Sequence, residues 1–196
     1  YSVIEAIQSN EQIVLGYCED QEKKRNPFLL KHIGNEKNID LNSFKSENVF
    51  FPCVGDNSTR EKIVEFIQSN QLRTTNVIHR NAYISKEVVL GNSNFIGNGA
   101  IINPVSYIGN GTIINTRALI EHECHISDFV HIAPGVVLGG NVTIGKRSLI
   151  GAGSVVKPGI KIGENCIIGA GSVVVKDIGE DLTYAGNPAK WLKNNE

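Results

Sequence analysis

Methionine is missing from this chain, and tryptophan occurs once in its 196 residues. The first residue, Tyr1, already falls inside a helical pattern, so residues ahead of it are expected to be missing from the sequence. Long apolar runs are lacking too. None approaches the roughly 18 residues that would suggest a membrane-spanning helix. No signal peptide is visible. Neither sign of charge dominates: 19 Lys and Arg stand against 20 Asp and Glu. That balance provides no basic field for nucleic acid and no acidic tail. Cysteine pairs are absent as well. Cys18, Cys53, Cys124 and Cys166 form no CxxC spacing. A reduced, cytoplasmic protein is expected, with its cysteines acting as small buried hydrophobes rather than nucleophiles or metal ligands.

What is present is a repeat. From Ile84 to Val174, every sixth residue is Ile, Leu or Val, sixteen times without a slip in phase. Glycine follows eight of them: Gly91, Gly97, Gly109, Gly139, Gly145, Gly151, Gly163 and Gly169. Four residues after the aliphatic one the side chain is usually small, as at Ala100, Ser106, Ala118, Cys124, Ser148 and Ser172. A hexapeptide of this kind signals a parallel β-helix, in which each short strand contributes one inward residue. Three hexapeptides per coil make about five coils with three flat faces. Glycine and asparagine at Asn92, Asn98, Gly99, Asn110, Gly111 and Asn141 suit corners that need positive φ.

Residues 1–76 read differently. Tyr1 to Gln8 is a helix with Val3, Ile4 and Ile7 on one face, ended by Asn10. Ile13 to Tyr17 and Val49 to Val54 read as buried strands. A helix from about Thr59 to Ser69 follows, capped by Asn57 or Ser58. This alternation predicts a small α/β, Rossmann-like domain with a parallel sheet, lacking its first strand. Such sheets bind ligands beyond the carboxyl ends of their strands, which points to Cys18-Glu19-Asp20 and Gly55-Asp56-Asn57. Ordinary loop and cap roles account for the same residues equally well. The helix proper is expected over 77–178, and 179–196 as a C-terminal tail with a short helix. The fold class is therefore mainly β: a parallel β-helix behind a small α/β domain.

The repeat breaks at Glu121-His122-Glu123-Cys124-His125, where Glu121 takes a glycine position. Three of the five histidines, His122, His125 and His131, lie within eleven residues. They are either solvent-facing surface residues or a site. A histidine beside a carboxylate is a poised general base, since the carboxylate fixes the tautomer and favours protonation. Gly139-Gly140 lies three repeats after Glu121-His122, one full coil along the same edge. Its N–H groups suit the oxyanion of an acyl transfer.

These residues resemble a known family. The repeat, the Ile120-Glu121-His122-Glu123-Cys124 segment, Val130 to Gly135, the two Gly-Ala-Gly-Ser turns at 151–154 and 169–172, and Tyr184 to Lys190 are similar to bacterial left-handed β-helix sugar acetyltransferases. The nearest branches are the UDP-4-amino-sugar N-acetyltransferases and the sialic-acid O-acetyltransferase-like proteins. The resemblance implies a homotrimer, acetyl-CoA along a groove, no metal, and a nucleotide sugar held by the first domain. It implies His122 as catalytic base, Glu123 as its partner and Gly140 as the oxyanion N–H. His131, Ala152 and Ala170 would contact acetyl-CoA, and Glu19, Asp20 and Gly55 the nucleotide. Position 19 departs from the more usual Asp, which bears on the uracil contact. The base, the Gly140 amide and the Gly-Ala-Gly-Ser turns are expected along one groove. The implied reaction is direct transfer to the amine of a UDP-4-amino-4,6-dideoxy sugar for surface glycan synthesis, with no covalent enzyme intermediate. O-acetylation of a sialic acid, a zinc hydratase with three converging imidazoles, and a non-catalytic β-helix module are the rivals.

Overall fold

A computed structural model describes residues 1–35, 39–44 and 48–195. Strands of two residues, one per hexapeptide, run from Val77 to Val174 and stack into three parallel sheets. Pairing joins residues eighteen apart, such as Leu119 with Val137 and Ile120 with Leu138, so one coil is three hexapeptides. The first face holds the strands at Val77–Ile78, Phe95–Ile96, Ile113–Ile114, His131–Ile132, Leu149–Ile150 and Ile167–Ile168. The second holds Tyr83–Ile84, Ile101–Ile102, Leu119–Ile120, Val137–Leu138, Val155–Val156 and Val173–Val174. The third holds Val89–Leu90, Tyr107–Ile108, His125–Ile126, Thr143–Ile144 and Lys161–Ile162.

The second residue of each strand points inward. From Ile96 to Val174 these side chains are buried and form one continuous core. Truncating one, as in Ile132→Ala, should cost about 2–5 kcal/mol, because the stacked neighbours cannot close the cavity. The small residues also have a structural reason. Ser148 Oγ donates to the Gly163 carbonyl at 2.7 Å and accepts from the Cys166 N–H at 2.9 Å. Ser154 makes the same pair of bonds with Gly169 and Ser172. A buried hydroxyl thus satisfies one carbonyl and one amide of the next coil.

Corners obey the same period. Every sixth residue from Ser93 to Gly171 has positive φ. Glycine fills some of these positions, but Val105, Arg117, Glu123, Phe129 and Arg147 also adopt φ between 55° and 63°. Each such side chain costs roughly 1–2 kcal/mol of local strain, offset by the ladders on either side.

The leading segment begins with α1 (Ser2–Ser9). It is followed by β1 (Tyr17–Cys18), β2 (His32–Gly34), a 3₁₀ turn at Leu41–Phe44 and β3 (Val49–Phe50). Then come α2 (Asn57–Ser69) and β4 (Arg73–Thr74). β1 pairs with β2 and β3 with β4, both parallel, as two separate two-stranded sheets. The single Rossmann-like sheet expected from the sequence is not formed among the described residues. Ile13 is 85% exposed and unpaired with any strand, so the predicted buried strand shrinks to Tyr17–Cys18. Pro52, with no N–H to donate, follows the end of β3. α2 starts earlier than predicted because Asp56 is its cap, accepting from the Thr59 N–H at 2.8 Å.

α1 packs Ala6, with Val3 and Ile7, against Val77, Phe95 and Ile113 on the first face. α2 lies along the edge between the third and first faces. Asn57 Nδ2 donates to the Arg147 carbonyl at 2.8 Å, and Glu61 pairs with Lys146 at 2.5 Å and Arg147 at 3.2 Å. The tail is not helical. Leu182–Ala185 extends the first face beside Ile167–Ile168, and Lys190–Asn194 returns antiparallel to it. The expected helix loses to main-chain pairing with an open strand edge.

Candidate active site

Glu121 to Cys124 forms the turn between the second and third faces. Its ladder neighbours hold it firmly. Asn141 N–H donates to the His122 carbonyl at 2.8 Å, and Glu123 N–H to the Pro104 carbonyl at 3.1 Å. Asn103 Nδ2 donates to Glu121 Oε2 at 3.1 Å. Left-handed φ at Glu123 (59°) turns the chain sharply, and Glu123 Oε2 lies 2.9 Å from His122 Nδ1. Both side chains are open to solvent, 59% and 61% exposed. A ring donating Nδ1–H to that carboxylate leaves its Nε2 lone pair free for a proton.

Gly140 lies one coil on, and the imidazole packs over it. A Cβ at position 140 would stand 2.6 Å from His122 Cε1 and 2.7 Å from Nε2. Only glycine leaves room for the ring. Among the described residues the Gly140 N–H donates to no carbonyl or side chain. Cys124 is buried, its Sγ directed at the Gly139 carbonyl at 3.3 Å. Burial raises its pKa, which suits a packing role.

His131 belongs to a different place. It points outward from the first face into a cavity of about 200 Å³ beneath the leading segment, lined also by Gly55, Arg60, Asn115 and Cys53. Its Nε2 is 3.4 Å from Asn115 Nδ2. Burial, the positive charge of Arg60 and an opposing bond to the Gly55 backbone leave it at about 4, so the ring is neutral at pH 7. Gly55 has open space around its Cα, so approach of a ligand to that backbone is unobstructed.

Ala152 and Ala170 occupy a third place. They lie on turns between the first and second faces, with the Gly171 N–H bonded to the Ala152 carbonyl at 2.8 Å. Within one chain, therefore, the base and the Gly-Ala-Gly-Ser turns do not share a groove. They sit on the two edges that border the second face. Glu19 and Asp20 follow β1. Glu19 pairs with Lys23 at 2.6 Å, and Asp20 accepts from Asn35 Nδ2. His32 Nε2 lies 2.9 Å from the Glu19 carbonyl.

The three clustered histidines separate. His122 is on an edge, His131 on the first face, and His125 on the third face, stacked on Tyr107 at 4.6 Å and 9°. Among the described residues of one chain no three His, Cys, Asp or Glu side chains gather as a metal site. Sequence reasoning passed over Arg60 and Asn115. Arg60 had a signal, being a cation in line with Val64 and Ile67 on the apolar stripe of α2. Asn115 replaces the glycine that often follows an inward residue.

Residues 141–176 match the bacterial transferase hexapeptide family model of six repeats. A GDP-perosamine N-acetyltransferase of Escherichia coli O157:H7 is 32% identical over 151 residues, covering 74% of this chain and 68% of the relative. The chain belongs to the hexapeptide-repeat sugar acetyltransferases. A histidine-to-asparagine mutant of the perosamine N-acetyltransferase from Caulobacter crescentus, solved with CoA and GDP-perosamine, superposes with a TM-score of 0.93 at 30% identity. That match covers 98% of this chain and 91% of the other. The acetyltransferase domain of PglB from Neisseria gonorrhoeae, solved with acetyl coenzyme A, superposes with a TM-score of 0.91 at 31% identity over 97% and 93% of the two chains.

Proposed function

We propose that this acyltransferase moves the acetyl group of acetyl-CoA onto the amine of a nucleoside-diphosphate amino sugar, with His122 as general base. The observation that carries this reading is the His122 ring, held between the Glu123 carboxylate and the Gly140 backbone. In the reaction, the amine nitrogen attacks the thioester carbonyl carbon and His122 Nε2 takes its proton. The Gly140 N–H, unpartnered among the described residues, donates to the oxyanion. The C–S bond then breaks and the sulfur leaves as thiolate, which the imidazolium can protonate. Reaction through a ternary complex needs no covalent intermediate, in keeping with a buried Cys124.

A relative acting on GDP-perosamine and another solved with it support N-acetylation and a nucleotide-linked sugar. The resemblance read from the sequence favours uridine, whereas these relatives carry guanosine. Glu19, Asp20 and Gly55 remain the proposed nucleotide contacts. Ala152, Ala170 and His131 are the proposed acetyl-CoA contacts, with the acceptor sugar approaching through the cavity that His131 shares with Gly55.

A homotrimer is part of the proposal. The second face presents an outward row of Tyr83, Ile101, Leu119, Val137, Val155 and Val173, with Tyr83, Ile101 and Val155 exposed. An unbroken apolar row is costly to leave in water. Packing it against a neighbouring chain would bring the His122 edge of one copy near the alanine edge of the next, completing a site that one chain divides. We assign the enzyme to cytoplasmic synthesis of a surface polysaccharide.

CoA release should be measured with GDP- and UDP-linked amino sugars and with free and CMP-linked sialic acids. The reading expects turnover with a nucleotide amino sugar and its near-abolition in His122→Ala. Full kcat in that variant would remove His122 from the mechanism.

A further inference from the structure

Among the described residues, Arg60 is a buried cation with no carboxylate in hydrogen-bond contact. Its side chain is 1% exposed. Nε donates to the Gly111 carbonyl at 2.6 Å. One terminal nitrogen donates to the Val54 carbonyl at 3.2 Å and the Gly55 carbonyl at 2.9 Å. The other donates to Asn57 Oδ1 at 2.6 Å and the Phe129 carbonyl at 3.0 Å. Five acceptors meet the five N–H groups of a guanidinium, and all are neutral. Asp56, the nearby carboxylate, is engaged in capping α2. Burial lowers Arg60 to about 10, which still leaves it charged at pH 7.

A buried charge held by neutral acceptors is costly, and a methionine would fill a similar volume more cheaply. A structural bolt between α2 and the corners at Gly111 and Phe129 could be made of neutral groups. The charge itself therefore asks for a reason. Arg60 lines the same cavity as His131, and the carbonyl of Gly55 that it grips also faces the His131 ring.

We propose that Arg60 is a positioning residue: it fixes the Gly55 carbonyl against His131, which holds that imidazole in one tautomer, and its charge adds to the burial that keeps the ring neutral. The proposal rests on the reading above, in which this cavity receives the acceptor sugar. A neutral, weakly basic ring there does not compete with His122 for the proton that the attacking amine must lose. Arg60 is the charged group acting on His131. Asn115 and the Gly55 carbonyl are its neutral neighbours, and Cys53 and Tyr1 line the same cavity.

The test is a pH titration of the free protein labelled with ¹⁵N-histidine, the His131 signals being assigned by their loss in His131→Asn. In the unmodified protein, His131 should stay neutral, as a single tautomer, until about pH 4. Arg60→Met should raise its midpoint by on the order of one pH unit, the interaction of a nearby like charge at intermediate dielectric. Arg60→Lys, which keeps the charge and loses the fork, should retain the low midpoint but mix the two tautomers. A His131 midpoint near its ordinary value of about 6.5 in the unmodified protein would overturn the proposal. So would an unchanged midpoint in Arg60→Met. Should that variant not fold, the titration of the unmodified protein and of Arg60→Lys still decides. Because no substrate is used, failure here is separate from failure of the acetyl-transfer reading, which CoA release alone judges.

Discussion

His122 and His131 lie nine residues apart on the same β-helix, yet their surroundings are opposite in sign. His122 stands in solvent on an edge, beside a carboxylate and above a glycine. His131 is half-buried on a face, beside a guanidinium and a carbonyl that comes from the leading segment. A ring that gives Nδ1–H to a carboxylate can take a substrate proton on its other nitrogen. A ring beside a buried cation cannot, and offers a fixed neutral hydrogen-bonding edge. Two identical side chains are thus given different chemical work by what the coil brings next to them.

The contrast is broken most severely at His122. His122→Ala should lower kcat by about 10²–10⁴-fold with little change in thermal stability, because the side chain is exposed. Steady-state CoA release and a melting curve together check this. Next comes Gly140→Ala. Its Cβ would overlap the ring, so His122 must swing away while its chemistry is untouched. A displacement of that size should cost on the order of 10²-fold in kcat, and a crystal structure should show the ring moved. Glu123→Gln sharpens the comparison more gently. It keeps an acceptor near Nδ1 but removes the charge that favours the imidazolium, for an expected loss of about tenfold in kcat.

The smallest effect concerns stability. The folded-state pKa of His131 lies below its unfolded value, so between about pH 6.5 and about 4 the unfolded chain binds more protons. This contribution leaves the fold fully stable above that window and weakens it as pH falls through it. Urea midpoints should therefore drop less between pH 7 and pH 5 in His131→Asn than in the unmodified protein. Equal drops would remove His131 from the acid sensitivity.

Much of the β-helix was legible because its signal is strictly periodic. The inward positions, the eighteen-residue coil and the meeting of His122 with Gly140 all follow from counting in sixes. The same counting separates His122 from Ala152. Residues on one edge differ by multiples of eighteen, and these two differ by thirty. The corners were half legible. Gly99 and Gly111 announce positive φ, but Val105 and Phe129 do not, since the ladders impose that conformation on whatever residue is there. The leading segment was legible only as helices. Its strands are two or three residues long, too short for a period to emerge. The His131 cavity had no local signal, because Gly55 and Arg60 arrive from some seventy residues earlier in the chain.

The central claim is that Glu123 and Gly140 hold His122 as the base. Its most direct test is kcat/KM for CoA release with the best nucleotide amino sugar, compared between the unmodified protein, His122→Ala and His131→Asn. The account predicts loss of most of the rate in His122→Ala and a smaller loss in His131→Asn. A near-normal rate in His122→Ala would contradict it.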